Sequence, residues 1–156
     1  MKVAVLGDSH LRESVLEDLL EELNQADFLI HTGDLYNDFE YLMKHLEIQG
    51  IGVRGNCDVK GEAELLVELA GKRIFVCHGH RYGVKGNLNQ LFYRGKELEA
   101  DVVIFGHSHI PFCAREENLL LLNPGSVAYP RGGSKPSYAM LYLEEEPRVE
   151  FRQIEL

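Results

Sequence analysis

The sequence predicts an α/β domain whose first half is a parallel sheet and whose second half is built of hairpins and short strands. Three observations carry that expectation. Between Lys2 and Arg54, short β-branched or apolar runs alternate with stretches of three-to-four-residue apolar spacing. Beyond Arg54, the apolar runs follow one another across turn-forming residues, with a single helical stretch among them. A chain of 156 residues, 45% hydrophobic and 26% charged, suits one globular domain over 1–156 with a sizeable core.

Taken in order, the run 2–6 stops at Gly7 as a buried strand would. Leu11, Val15, Leu16, Leu19, Leu20 and Leu23 then recur at helical spacing, which predicts an amphipathic helix ending near Asn24. The run 28–31 repeats the strand signal and is halted by Thr32-Gly33-Asp34. Phe39, Leu42, Met43 and Leu46 mark a second helix, and 51–54 a third strand ending at Gly55-Asn56. This β-α-β-α-β order calls for parallel strands joined by right-handed crossovers. Runs 65–69 and 73–77 flank Ala70-Gly71-Lys72 as a hairpin. Asn87 is the expected N-cap of one more helix, with Leu88, Leu91, Phe92 and Leu98 as its apolar face, and it leads to the strand 102–105. Short strands follow at 113–116, 119–122, 137–143 and 149–154, the first pair turning at Glu117-Asn118 and the last across 144–147.

Composition narrows the function. No apolar run approaches the roughly 20 residues of a membrane span, and the start is too short and too soon acidic for a signal peptide, so a cytoplasmic protein is expected. Cys57, Cys77 and Cys113 match no zinc-ribbon or redox spacing and are expected as free thiols, Cys77 as a buried small hydrophobe. The formal charge of −9 opposes binding to a nucleic acid polymer and leaves a small anionic substrate, drawn in by metal ions, as the expected partner.

The informative residues are those that follow each expected strand. Asp8 and His10 follow the first, Asp34 the second, Asn56 and Asp58 the third, His78 and His80 the hairpin, and His107 and His109 the strand 102–105. In open α/β sheets the carboxyl ends of the strands share an edge at which ligands bind, so these segments can converge. Carboxylate, imidazole and carboxamide together suit manganese, iron, nickel, zinc or magnesium. A single histidine or Gly-Asp pair would be an ordinary turn; five of the seven histidines falling in these segments are not explained by packing.

Asp8-Ser9-His10, Gly33-Asp34, Gly55-Asn56-Cys57-Asp58, His78-Gly79-His80 and Gly106-His107-Ser108-His109, in that order, resemble the calcineurin-like metallophosphoesterase superfamily, and the length and the Gly-Asn-Cys-Asp segment resemble its small YfcE-type phosphodiesterase branch. The resemblance implies a four-layer α-β-β-α sandwich, two mixed sheets flanked by helices. It implies two divalent ions, Mn2+ foremost with Ni2+, Fe2+, Zn2+ or Mg2+ as alternatives. Asp8, His10 and His109 would hold the first ion and Asn56, His78 and His107 the second, with Asp34 bridging both. The implied activity is phosphodiester hydrolysis by a hydroxide held between the two ions.

Asp34, Asn56, Cys57 and His80 are the residues expected to take part in catalysis. Cys57 stands where most of the larger superfamily has histidine, and a thiol is a poorer proton donor, so diesters with good leaving groups are expected over monoesters. His80 either protonates the leaving group or hydrogen-bonds a carboxylate, and Asp58 either caps its turn or orients His10. Asn123-Pro124-Gly125-Ser126 either turns amides or the Ser126 hydroxyl toward phosphate or is an ordinary Pro-Gly turn, and the resemblance, which sets this stretch beside the metal site, favours support of the ligands; Tyr129-Pro130-Arg131-Gly132-Gly133 is expected at the mouth of the site, where Arg131 reads equally as a phosphate contact or as solvated, as does Arg81. His31, inside a strand, is expected either packed or hydrogen-bonded behind the ligands, and His45 and the run 144–146 solvated. The alternatives are a phosphomonoesterase or nuclease of the same superfamily, or a non-catalytic scaffold like the retromer subunit that shares this fold. Apolar residues in the late hairpins suggest a homodimer or higher homo-oligomer.

Overall fold

The computed structural model describes residues 1–10 and 13–155, so Leu11 of the first helical pattern lies outside the described residues. Strands β1 (Lys2–Leu6), β2 (Phe28–His31) and β3 (Gln49–Gly52) pair in parallel, as the β-α-β-α-β order requires. Helices α1 (Glu13–Leu23) and α2 (Tyr36–His45) make the crossovers. Strands β9 (Ser137–Tyr142) and β10 (Arg148–Gln153) join antiparallel, giving the order β10-β9-β1-β2-β3.

The second sheet has the order β4-β5-β6-β8-β7, from β4 (Glu64–Leu69), β5 (Lys72–Cys77), β6 (Val102–Ile104), β7 (Pro111–Glu116) and β8 (Leu119–Pro124). Both of its hairpins turn on two residues at positive φ, Ala70-Gly71 and Glu117-Asn118, the twist-matched geometry for short hairpins. Helix α3 (Asn89–Glu97) precedes β6. Its capping position is held by Leu88 without a side-chain bond, while Asn87 Oδ1 accepts the Asn89 amide at 3.0 Å, one residue earlier than an N-cap would sit. The third strand ends at Gly52 rather than Arg54: the Val53 amide still donates to the His31 carbonyl, but Val53 also bridges to Glu62 and the Arg54 amide donates to the Glu62 carbonyl.

Side-chain alternation builds the layers. Val3 and Val5 of β1 point into the space between the sheets with Ile74, Val76, Val102, Ile104, Leu120 and Leu122. Their neighbours Ala4 and Leu6 face the other way, against Leu16, Leu23 and Leu42 of α1 and α2. On the far side, Val103, Leu119 and Leu121 pack beneath Leu91 of α3. The result is the four-layer sandwich, two mixed sheets between helices. Each fully buried aliphatic side chain contributes roughly 1.5–3 kcal/mol.

Candidate metal centre

The carboxyl ends of β1, β2, β3, β5 and β6 bring their following loops to one edge of the two sheets. The loops are stitched to one another: the Asp8 amide donates to the Gly33 carbonyl at 2.9 Å, and the Gly106 amide to the His78 carbonyl at 2.8 Å. Asp8, His10, Asp34, His107 and His109 all adopt left-handed backbone, with φ between 47° and 72°. Non-glycine residues there are uncommon, and each carries a cost of order 1–3 kcal/mol that the surrounding structure must hold in place. Their concentration at one edge marks the edge as built for something other than stability.

All seven residues expected to hold metal are brought together. Asp8 Oδ1 lies 3.4 Å from His109 Nε2 and 3.8 Å from His78 Nε2. Asp34 Oδ2 lies 3.4 Å from His78 Nε2 and 4.0 Å from His10 Nε2. His10 and His109 face each other at 3.4 Å between their Nε2 atoms. Asn56 Oδ1 is 3.1 Å from His107 Nδ1, which is 3.3 Å from His78 Nε2. Among the described residues, two groups of donor atoms are compact enough to surround a cation, Asp8-His10-His109 and Asp8-Asp34-His78.

Hydrogen bonds outside the cluster aim these donors. His78 Nδ1 donates to the Thr32 carbonyl at 2.8 Å and His109 Nδ1 to the Tyr129 carbonyl at 2.6 Å, which leaves both Nε2 lone pairs free toward the centre. Asp34 Oδ1 accepts the Cys57 amide at 3.0 Å, leaving Oδ2 for the cluster. A buried chain ties two loops of the cluster together: the Gly33 amide donates to His31 Nδ1, His31 Nε2 meets Ser9 Oγ at 3.0 Å, and Ser9 Oγ donates to Asp38.

Glycine is required where backbone and carboxylate crowd. A Cβ on Gly55 would sit 2.0 Å from Asp34 Oδ1. Gly55→Ala is therefore expected to displace the Asp34 carboxylate and weaken metal uptake by about tenfold or more, read by calorimetric titration. Unaltered affinity would show that Asp34 does not hold metal from this position.

Burial pushes the Asp8 carboxyl up to about 7; His78 opposes that rise and Asp34 adds to it. Burial also disfavours the charged form of Asp34, but hydrogen bonding and charge from His78 with the Cys57 amide outweigh it and hold the carboxyl below the usual range. Burial, with the nearby His78 and Lys85, brings His107 down to about 4. Asp8 Oδ1 is wholly buried and has no hydrogen-bond partner among the described residues. A buried carboxylate oxygen without a donor, ringed by imidazole nitrogens, needs a cation to be stable, so the donor set fits a divalent ion.

The remaining expectations resolve individually. Of the two roles open to Asp58, the structure shows the cap: its carboxylate accepts the amides of Asp34, Tyr36 and Gly55. The Ser126 hydroxyl does not turn toward phosphate. It is buried and donates to the Asp8 carbonyl at 2.7 Å, supporting the site from beneath, while Asn123 braces Gly106 and Ser108. His80 is half-buried in a single 3-10 turn, His80–Tyr82, its ring 5.5 Å from that of His78, and its Nδ1 has no hydrogen-bond partner among the described residues. Cys57 is exposed and Cys77 buried. His45 is exposed and stacks on Tyr41, while Glu144, Glu145 and Glu146 are exposed. Arg131 lies beside His109, its amide donating to that carbonyl at 3.1 Å; Arg81 is exposed. The roles of Thr32, Tyr129 and Asp38 in orienting the cluster carry no signal in the sequence, although the segment that begins at Tyr129 is expected at the mouth of the site. Two act through backbone carbonyls, which no residue type signals, and an aspartate in the first turn of a helix reads as solvent-facing.

Comparison with known proteins gives one consistent family. The calcineurin-like phosphoesterase superfamily domain matches residues 1–146. The chain is 39% identical over 149 residues to a probable metallophosphoesterase, YsnB, of Bacillus subtilis (strain 168), spanning 94% of this chain and 86% of that protein. It is 30% identical over 167 residues to the phosphodiesterase YfcE of Escherichia coli (strain K12), spanning 90% and 87%. A crystal structure of a predicted phosphoesterase from Streptococcus pneumoniae TIGR4 superposes with a TM-score of 0.85 at 30% identity, covering 97% of this chain and 88% of that one.

Proposed function

Because the chain belongs to the calcineurin-like phosphoesterase superfamily, we propose that it is a phosphodiesterase working with two divalent metal ions, manganese foremost. Asp8, His10 and His109 are assigned to one ion, Asn56, His78 and His107 to the other, and Asp34 to both. The observation that carries this reading is the position of Asp34 Oδ2, within 4.0 Å of His10 Nε2 on one side and 3.4 Å of His78 Nε2 on the other. When bound, the two ions supply Lewis acidity and a water acidic enough to attack phosphorus near neutral pH.

The chain's own residues do the rest. The carbonyls of Thr32 and Tyr129 fix the tautomers of His78 and His109, and the Cys57 amide orients Asp34. His80, its ring 6.0 Å from that of His107 and its Nδ1 without a partner among the described residues, is assigned to protonating the leaving oxygen. Cys57 is a weak substitute for an imidazole donor, which favours diesters with good leaving groups. The net charge of −9 favours a small substrate over a nucleic acid polymer. Among the described residues no helix is long and apolar enough to cross a membrane.

The test is metal analysis of the purified protein together with hydrolysis of an aryl diester, an aryl monoester, a cyclic nucleotide and single-stranded DNA across added manganese, nickel, zinc and magnesium. Two metal equivalents and fastest turnover of the aryl diester are expected. Metal-loaded protein inert toward every ester would make it a binding scaffold instead.

Cys57→His is a narrower test. The Cys57 amide holds Asp34 Oδ1 whatever the side chain, while the thiol, which also bonds the Asp34 carboxylate, is exchanged for an imidazole. The monoester-to-diester rate ratio is expected to rise by about tenfold or more, within the range of general-acid effects. An unchanged ratio, measured with one leaving group in both esters, removes Cys57 from the account of specificity.

A further inference from the structure

Beside the cluster, a groove of about 480 Å³ runs along the loops around His107 and His109. Phe105, Ile110 and Phe112 form its apolar wall, Ser108 stands in it, and two cations, Lys85 and Arg131, border it. Groove and cluster share one stretch of chain: His107 and His109 face the cluster, whereas Ser108 and Ile110 line the groove. Any ester arm on a phosphate held at the cluster is therefore within reach of it.

Three features say what it would hold. Ile110 and Phe112 are 42% and 38% exposed, so large apolar surface is left uncovered at a functional edge, where single exposed hydrophobics elsewhere would mean little. The volume lies within the ordinary range for a small-molecule site. Both cations, Lys85 and Arg131, line the groove in a chain whose overall charge is −9. An uncharged aromatic arm would leave both unanswered.

On the premise that the cluster is a working phosphodiesterase centre, we propose that this groove is a substrate subsite for one organic arm of the diester, an aromatic ring that bears its own negative charge. The ring packs on Phe112 and Ile110, and the anionic group meets Lys85 and Arg131. The substrate class is a small diester of an anionic aromatic or nucleotide-like alcohol.

The test is calorimetric binding, in saturating manganese, of methylphosphonate, phenylphosphonate and 4-carboxyphenylphosphonate. Phenylphosphonate is expected to bind about tenfold tighter than methylphosphonate, from burial of the ring, and the carboxylate to tighten it several-fold further. Phe112→Ser should collapse the first ratio and Lys85→Gln the second, with Ile110→Thr as an independent wall variant if Phe112→Ser melts early. Equal binding of the three phosphonates to the wild-type protein, with methylphosphonate still requiring manganese, would overturn the subsite and leave the metal centre standing. No binding of any phosphonate in manganese would remove the premise and the subsite together. A dimer that Phe112→Ser dissociates in light scattering, with no preference among the phosphonates, would make the groove an interface between copies and overturn the proposal.

Discussion

Asp34→Asn is expected to slow hydrolysis of an aryl diester by more than about a hundredfold, beyond the ten- to hundredfold typical of a partner that only orients a ligand, and to lower bound metal from two equivalents to one or fewer. The substitution is nearly isosteric, and the side chain is only 3% exposed, so its shape still fits where it stands. Oδ1 of the amide can still accept the Cys57 N–H. What is lost is the negative charge at Oδ2, which faces His10 on one side and His78 on the other. A neutral carboxamide cannot balance two adjacent dications, whereas it preserves packing. Metal analysis and circular dichroism on the same sample separate loss of charge from loss of fold. A folded variant that keeps two metals and full activity contradicts the bridging role.

Stripping the metals with a chelator is expected to lower the melting temperature by about 5–10 °C and to abolish hydrolysis, both restored by added manganese. The estimate follows from mass action: a ligand at about a hundred times its dissociation constant stabilises the state that binds it by about 2.7 kcal/mol. The unfolded chain has no preformed site to compete, because the ligands lie on loops as distant in sequence as Asp8 and His109. In the metal-free fold the Asp8 carboxylate stays buried with one oxygen unpartnered, beside a second buried carboxylate. Melts followed by circular dichroism with and without chelator read the effect directly. A melting temperature indifferent to chelator and to manganese would mean that these carboxylates are stabilised without metal.

Part of this was legible in the residues and part was not, for physical reasons. The strands of the first sheet announced themselves because β1 and β2 are buried on both faces and bounded by glycine. The same double burial hid the layering: Val3 and Ala4 are equally apolar, so nothing in the run says which face meets the second sheet and which meets the helices. Pairing of β1 with β9 joins the two ends of the chain, a contact no local pattern encodes. At the site, the candidate ligands were legible because their residue types are costly to bury without a purpose and each follows a strand. Resemblance supplied the division of those ligands into two sets. The direction of a hydroxyl was out of reach, as Ser126 shows by turning beneath Asp8 rather than outward. Backbone carbonyls that orient imidazoles, those of Thr32 and Tyr129, carry no side-chain signal.

The central claim, that side chains from five strand ends enclose a pair of cations, is tested most directly by anomalous diffraction from crystals soaked in manganese and measured at its absorption edge. The account predicts two peaks, one against Asp8, His10 and His109 and one against Asn56, His78 and His107, with the Asp34 carboxylate touching both. Peaks elsewhere on the surface, or none among these side chains, would contradict it.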